Sequence, residues 1–239
     1  MLANTPIIGT QSGTFGKDVH LPATALRQLL VFIAAELPRW RDRPDRQRET
    51  AETILTSQLC AHLNSAARHS AGWDILQFRI EEPDELNRGR RVDLIPAPCG
   101  VTVWIEGRGY TDFESLLPIE CKRLPTPRTN DRDEREYVFS QISTTGGIQR
   151  FKAGHHAAAH VFGAMIGYVQ KETVVFWHRR IAGWIDELAN SGQPCWSQAD
   201  LLQLERNDET LRVAVLRSSH ERENGWPKIE LCHLWLEMN

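Results

Sequence analysis

A chain of 239 residues with 41% hydrophobic content can bury one substantial α/β core, whereas two small domains would strain that supply. Charged side chains at 25% exclude a disordered composition, and a formal net charge of −3 excludes a protein coated in positive charge. Any nucleic-acid contact must therefore use a local basic patch, with bound metal offsetting the protein's own carboxylates. The five cysteines (Cys60, Cys99, Cys121, Cys195, Cys232) are widely spaced and contain no CxxC pair, so reduced thiols are expected rather than a disulfide framework or zinc ribbon. The N-terminus lacks the pattern of a signal peptide, and the longest apolar stretch, Leu29 to Ala35, is too short to cross a bilayer. A soluble cytoplasmic protein is the expectation.

In chain order, the first twenty residues read as an irregular arm. Leu26, Leu29, Leu30, Ile33 and Leu37 at helical spacing predict a helix over 23–40, which Pro38 brings to its end. The run RWRDRPDRQR is a solvated connection. A second helix follows over 49–68, with Ile54, Leu55, Leu59 and Leu63 inward and Gly72 ending the helical stretch. The period then changes, and strands are predicted at 75–80, 91–95, 101–105 and 116–124. Pro125, Pro127 and RTNDRDERE form a polar loop. A helix over 137–160, interrupted at Gly146-Gly147, leads to FGAMIGYVQ (162–170), apolar enough for a buried central strand. Next come an amphipathic helix over 172–190, a short helical turn at 201–204, and strands at 210–218 and 228–237 joined through Gly225. The fold class is α/β: a mixed sheet with helices on its faces, in one domain. Residues 1–45 supply the arm and first helix, 49–170 the core, and 171–239 a helix and hairpin that complete it.

The chemistry concentrates in Leu116 to Leu124. Side chains alternate along a strand, so Glu120 and Lys122 share one face while Ile119 and Cys121 point into a core. A carboxylate and an ammonium side by side suit hydrolysis: one holds Mg²⁺, and the other positions water or steadies phosphorane charge. Asp93 adds to this. It stands among Val92, Leu94 and Ile95, where an unpaired charge is costly, and 27 residues separate it from Glu120, room for a strand, a loop and an adjacent strand.

The set Asp93…Glu120-Cys121-Lys122 resembles the signature of the PD-(D/E)xK nuclease superfamily, with its restriction-endonuclease-like αβββαβ core, over roughly Glu49 to Gln170. Val92 stands where a proline often precedes the aspartate, a position that varies in the family. The segments GGIQRFKAGHH…FGAMIGYVQ and SSHERENGWPKIELCHLWLEM are similar to stand-alone nucleases of bacterial defence and restriction loci. The resemblance implies that Asp93 and Glu120 bind one or two Mg²⁺ or Mn²⁺ ions, with a backbone carbonyl of Ile119 or Cys121 as a further ligand, and that Lys122 assists the water. A glutamate from the first core helix often joins the set; of Glu49 and Glu52, Glu52 is preferred for its spacing to Leu55, Leu59 and Leu63. Gln149 and Arg150 fit the position of a site-facing pair on the following helix, Arg150 toward a phosphate, with Gln141 as an alternative to Gln149. The expected partner is DNA, joined by an ATPase or helicase subunit or by a second copy in a homodimer. A binding module of the same fold, or an RNase with the same centre, are the competing readings.

Basic residues at Arg88, Arg90, Arg91, Lys122, Arg123, Arg128, Arg132 and Arg135 flank both strands, where a nuclease needs phosphate contacts; Arg91 and Arg123 are the chosen nucleic-acid contacts. Other features carry less. His156 and His160 are four apart, but Ala157 replaces the glutamate a zincin requires, so His155, His156 and His160 are read as surface histidines. Ser218-Ser219-His220 lacks the glycines of a nucleophile elbow, and His220, Arg222 and His233 are read as bracing the terminal hairpin. No GxxxxGK loop is present. The tryptophans are assigned to packing, with Trp104 and Trp226 as the candidates for exposure.

Overall fold

The computed structural model describes residues 24–85, 89–127, 132–142 and 146–239. The N-terminal arm, Arg88 and Arg128 lie outside the described residues. The first two helices, α1 (Thr24–Arg41) and α2 (Glu52–Arg68), match the sequence periodicity closely. Pro38 lies inside α1 instead of closing it. An interior proline costs about 3 kcal/mol or more. Leu37 and Trp40 on either side of it are almost fully buried, each contributing about 1.5–3 kcal/mol, which offsets that cost and carries the helix to Arg41. In α2, Leu55, Leu59 and Leu63 face inward as expected, but Ile54 is exposed.

The main sheet has seven strands in the order β1-β2-β5-β6-β9-β8-β7. These are β1 (Leu76–Pro83), β2 (Arg91–Pro98), β5 (Ile119–Leu124), β6 (Phe162–Val169), β7 (Gln203–Asp208), β8 (Val213–His220) and β9 (Ile229–Glu237). β5, β6 and β9 run parallel to one another, and the remaining pairings are antiparallel. The strand predicted at 101–105 is shorter, β3 (Val103–Ile105), and pairs with β4 (Arg108–Tyr110) in a separate two-stranded ribbon. One apolar cluster under α1 and α2 covers one face of the sheet. The other face is covered by α3 (Gly147–Lys152) and α4 (Val174–Asn190), through residues such as Phe151, Trp177, Ile181 and Trp184. No described helix is long and apolar enough to cross a membrane.

Two sequence expectations change here. The helix predicted over 137–160 shrinks to α3. Its glycines let the chain fold back on itself: a Cβ on Gly146 would lie 2.5 Å from Phe139 Cα, and one on Gly147 would lie 2.8 Å from the Tyr137 carbonyl. Those carbonyls then serve α3, accepting from Gly147, Ile148 and Gln149 at 2.8, 3.2 and 2.9 Å, so the first amides of the helix are satisfied by residues 136–138. The turn at 201–204 gives way to β7, a polar, exposed edge strand that exists through its pairing with β8 and has no apolar alternation to betray it. The terminal pair β8–β9 forms as expected, but β9 is interior, pairing in parallel with the wholly buried β6.

Candidate active site at the parting of β2 and β5

β2 and β5 are in register at a single pair, Leu94 and Ile119. Beyond it, toward Asp93 on one strand and Cys121 on the other, no ladder continues, so the β5 amides facing β2 need other acceptors. Two carboxylates supply them. Asp93 Oδ2 accepts from the Cys121 amide at 2.8 Å, and Glu52 Oε2 accepts from the Arg123 amide at 2.9 Å. Glu52 reaches this point because the start of α2 is fastened to the sheet: the Thr50 carbonyl accepts from Arg123 Nη1 at 2.9 Å and from Gln170 Nε2 at 2.7 Å.

Glu120 and Lys122 point to the α3 side of the sheet, both buried. The Lys122 ammonium lies 2.8 Å from Glu120 Oε1, 3.4 Å from Glu52 Oε1 and 4.0 Å from Asp93 Oδ2, and it donates to the Cys121 carbonyl at 3.2 Å. One nitrogen thus sits among three carboxylates and a backbone carbonyl. The four residues expected to form the centre, Glu52, Asp93, Glu120 and Lys122, come together. Glu49 makes no comparable approach among the described contacts. Burial, and then the neighbouring Glu120 carboxylate, push Asp93 up to about 6, against the pull of Lys122 and the Cys121 amide. The surrounding carboxylates, outweighing desolvation, hold Lys122 firmly protonated.

Of the two residues expected to face the site from α3, Arg150 does so, but it grips Glu120 Oε1 at 2.6 Å with part of its guanidinium exposed. Gln149 turns to the loop instead, where its Oε1 accepts from the Ser140 and Gly146 amides at 3.0 and 3.2 Å. Arg91 is exposed at the mouth of β2 and bonds the Glu81 carbonyl at 2.6 Å; Arg123 is half-buried on the opposite rim. Gln141 is exposed. Arg132 and Arg135 pair with Glu136 and Asp133.

The donors fit a hard divalent cation: three carboxylates and a carbonyl, all oxygen. Glu120 Oε2 supports this, because it is buried without a hydrogen-bond partner among the described residues. Lys122 and Arg150 leave one negative charge of the three carboxylates unbalanced. Among the described residues no three His, Cys, Asp or Glu side chains are gathered closely enough to enclose an ion, and the Lys122 ammonium stands in the space between the carboxylates.

Sequence reading missed His156. It and His160 are buried, not on the surface, and the chain at both is non-helical. The His156 segment folds back over the end of α3, its amides bonding the Arg150 carbonyl, while Arg222 holds the Ala157 carbonyl at 2.9 Å. His156 Nε2 comes to rest 3.7 Å from Glu120 Oε2. Burial, with Arg150 next, lowers this histidine to about 3, so the ring is neutral. No spacing in the sequence signals this neighbour, because the turn that delivers it follows no period.

A second polar cluster is buried on the same face. Lys152 and His220 converge on Asp200 Oδ1 at 2.5 and 2.6 Å; Ser218 Oγ bridges His220 and His233 at 2.6 and 2.7 Å; and Tyr137 links His233 to the indole of Trp235, each at 2.8 Å. His220 and His233 thus brace the hairpin as expected, while Arg222 tethers residue 157. The connectivity of a Ser-His-Asp triad is present, but Ser218 is buried and its hydroxyl is held between two histidines. Trp104 and Trp226 are indeed exposed.

Comparisons with protein-family models, curated proteins and solved structures returned no match for this chain.

Proposed function

We propose that the protein is a metal-dependent nuclease that hydrolyses phosphodiester bonds in DNA, a soluble cytoplasmic enzyme of the PD-(D/E)xK kind acting in defence or restriction. The observation that carries the proposal is the convergence of Glu52, Asp93 and Glu120 around Lys122 where two strands part. The order α2-β1-β2-β5-α3-β6, with the β3–β4 ribbon inserted, supports a restriction-endonuclease-like core. Asp93 and Glu120, with Glu52 beside them, would hold Mg²⁺ or Mn²⁺, and the bound ion would supply Lewis acidity at the scissile phosphate. Lys122 donates to the attacking water and offsets charge that develops on the phosphate. The exposed edge of the Arg150 guanidinium, with Arg91 and Arg123 on the rims, meets neighbouring phosphates. An ATPase or helicase partner, or a second copy, would supply the affinity that a net charge of −3 withholds.

Plasmid cleavage in the presence of Mg²⁺ or Mn²⁺ tests this. Wild type is expected to cut, and Lys122→Ala to lose about 10²–10³-fold in rate with its fold retained. If both proteins shift DNA in a gel and neither cuts, the chain is a binding module. Single-stranded DNA and RNA assayed in parallel decide the substrate class.

A further inference from the structure

Building on the nuclease reading, we infer that His156 is a nitrogen ligand of the metal centre, sharing a cation with Glu120 Oε2 and tuning the site toward Mn²⁺ over Mg²⁺. Glu120 divides its two oxygens unequally. Oε1 is taken by two cationic groups, Lys122 at 2.8 Å and Arg150 at 2.6 Å. Oε2 has no hydrogen-bond partner among the described residues, although the side chain is fully buried. What it faces is His156 Nε2 at 3.7 Å, too far for a hydrogen bond. That span suits a shared ion, since two donors each about 2.1 Å from a metal reach it at an open coordination angle.

The other contacts of the ring agree. Arg150 Nη1 can only donate, so Nε2 presents its lone pair and the proton of the neutral ring sits on Nδ1, which is buried without a partner among the described residues. Nε2 also lies 3.4 Å from Arg150 Nη1, a long contact that a bound cation would replace. A buried carboxylate oxygen without a hydrogen-bond partner among the described residues, facing an imidazole nitrogen held only by that 3.4 Å contact, costs free energy unless something binds between them. Water and the Asp93 carboxylate can complete the shell. An imidazole donor favours a first-row transition ion over Mg²⁺, whose preferred donors are oxygens.

Electron spin-echo envelope modulation on Mn²⁺-loaded protein tests the assignment. Full-length wild type is expected to show ¹⁴N coupling, to change that pattern when grown with ¹⁵N-histidine, and to bind Mn²⁺ at least about tenfold more tightly than Mg²⁺. Folded His156→Gln should lose the nitrogen coupling while still binding Mn²⁺, with its preference over Mg²⁺ reduced; His156→Asn takes its place if the glutamine variant does not fold. Bound Mn²⁺ without histidine nitrogen coupling in wild type, or coupling that persists in the folded variant, overturns the inference and leaves the nuclease reading standing. A spectrum that remains that of the free aquo ion overturns both.

Discussion

Two buried polar clusters share one face of the sheet, and they differ in how completely they are satisfied. Glu120, Met165 and His233 occupy matching register positions on β5, β6 and β9, so the clusters lie about 10 Å apart, two strand spacings. The six-residue helix α3 serves both, sending Arg150 to one and Lys152 to the other. Residues two apart on a helix point to opposite sides, which is how one turn reaches both.

The cluster around Asp200 is closed. Burial lowers both of its histidines, leaving them neutral, and the donors then run in one direction: Trp235 to Tyr137, Tyr137 to His233, His233 to Ser218, Ser218 to His220, and His220 to Asp200, whose charge Lys152 balances. Every hydrogen-bonding site in that chain has a partner. The cluster around Lys122 is open: among the described residues three carboxylates oppose two cations, one carboxylate oxygen has no hydrogen-bond partner, and the ordinary β-ladder stops. Completed networks fasten a fold, and incomplete ones await a ligand.

The largest expected effect lies in the closed cluster. Asp200→Ala strands the buried Lys152 charge and should lower stability by about 3–5 kcal/mol, a fall in Tm on the order of 10 °C in a thermal melt. A loss within 1 kcal/mol would show that the closed cluster does not hold the fold. The open cluster predicts the opposite sign. Asp93 is raised to about 6 in the fold from an ordinary 3.8. Its stabilising contribution is therefore complete below about pH 4 and lost as pH rises through about 6. Metal-free Asp93→Asn, whose amide oxygen can still accept from Cys121, should match wild type near pH 4 and exceed it by about 1–2 kcal/mol above pH 7 in urea melts. Destabilisation at neutral pH would mean that Asp93 serves the fold rather than a ligand. The smallest effect is on metal affinity: as Asp93 takes up a proton, Mn²⁺ binding to the metal-free protein should weaken by up to about tenfold per pH unit below 6. An affinity that stays flat between pH 5 and 7 would remove Asp93 from the ligand set.

Much of this was legible in the chain. Helical spacing located α1, α2 and α4, apolar runs located β2 and β6, and the alternation around Glu120 and Lys122 put both on one face. Glu52 was legible through its spacing to Leu55, Leu59 and Leu63. Periodicity failed where structure is irregular or borrowed from a neighbour. The stretch 137–160 has helical composition but folds back on glycines, β7 is a strand only beside β8, and Gln149 was drawn to loop amides that no spacing reveals.

The sequence by itself determined the chemical types available and which side chains share a face, because local period and burial preference are properties of neighbouring residues. Tertiary structure alone decided the parting of β2 and β5, the seat of Lys122 among three carboxylates, and the burial of His156 against Glu120. Those depend on where separate strands diverge and turns return, and on which buried atoms are left without partners, quantities that exist only once distant segments are packed together.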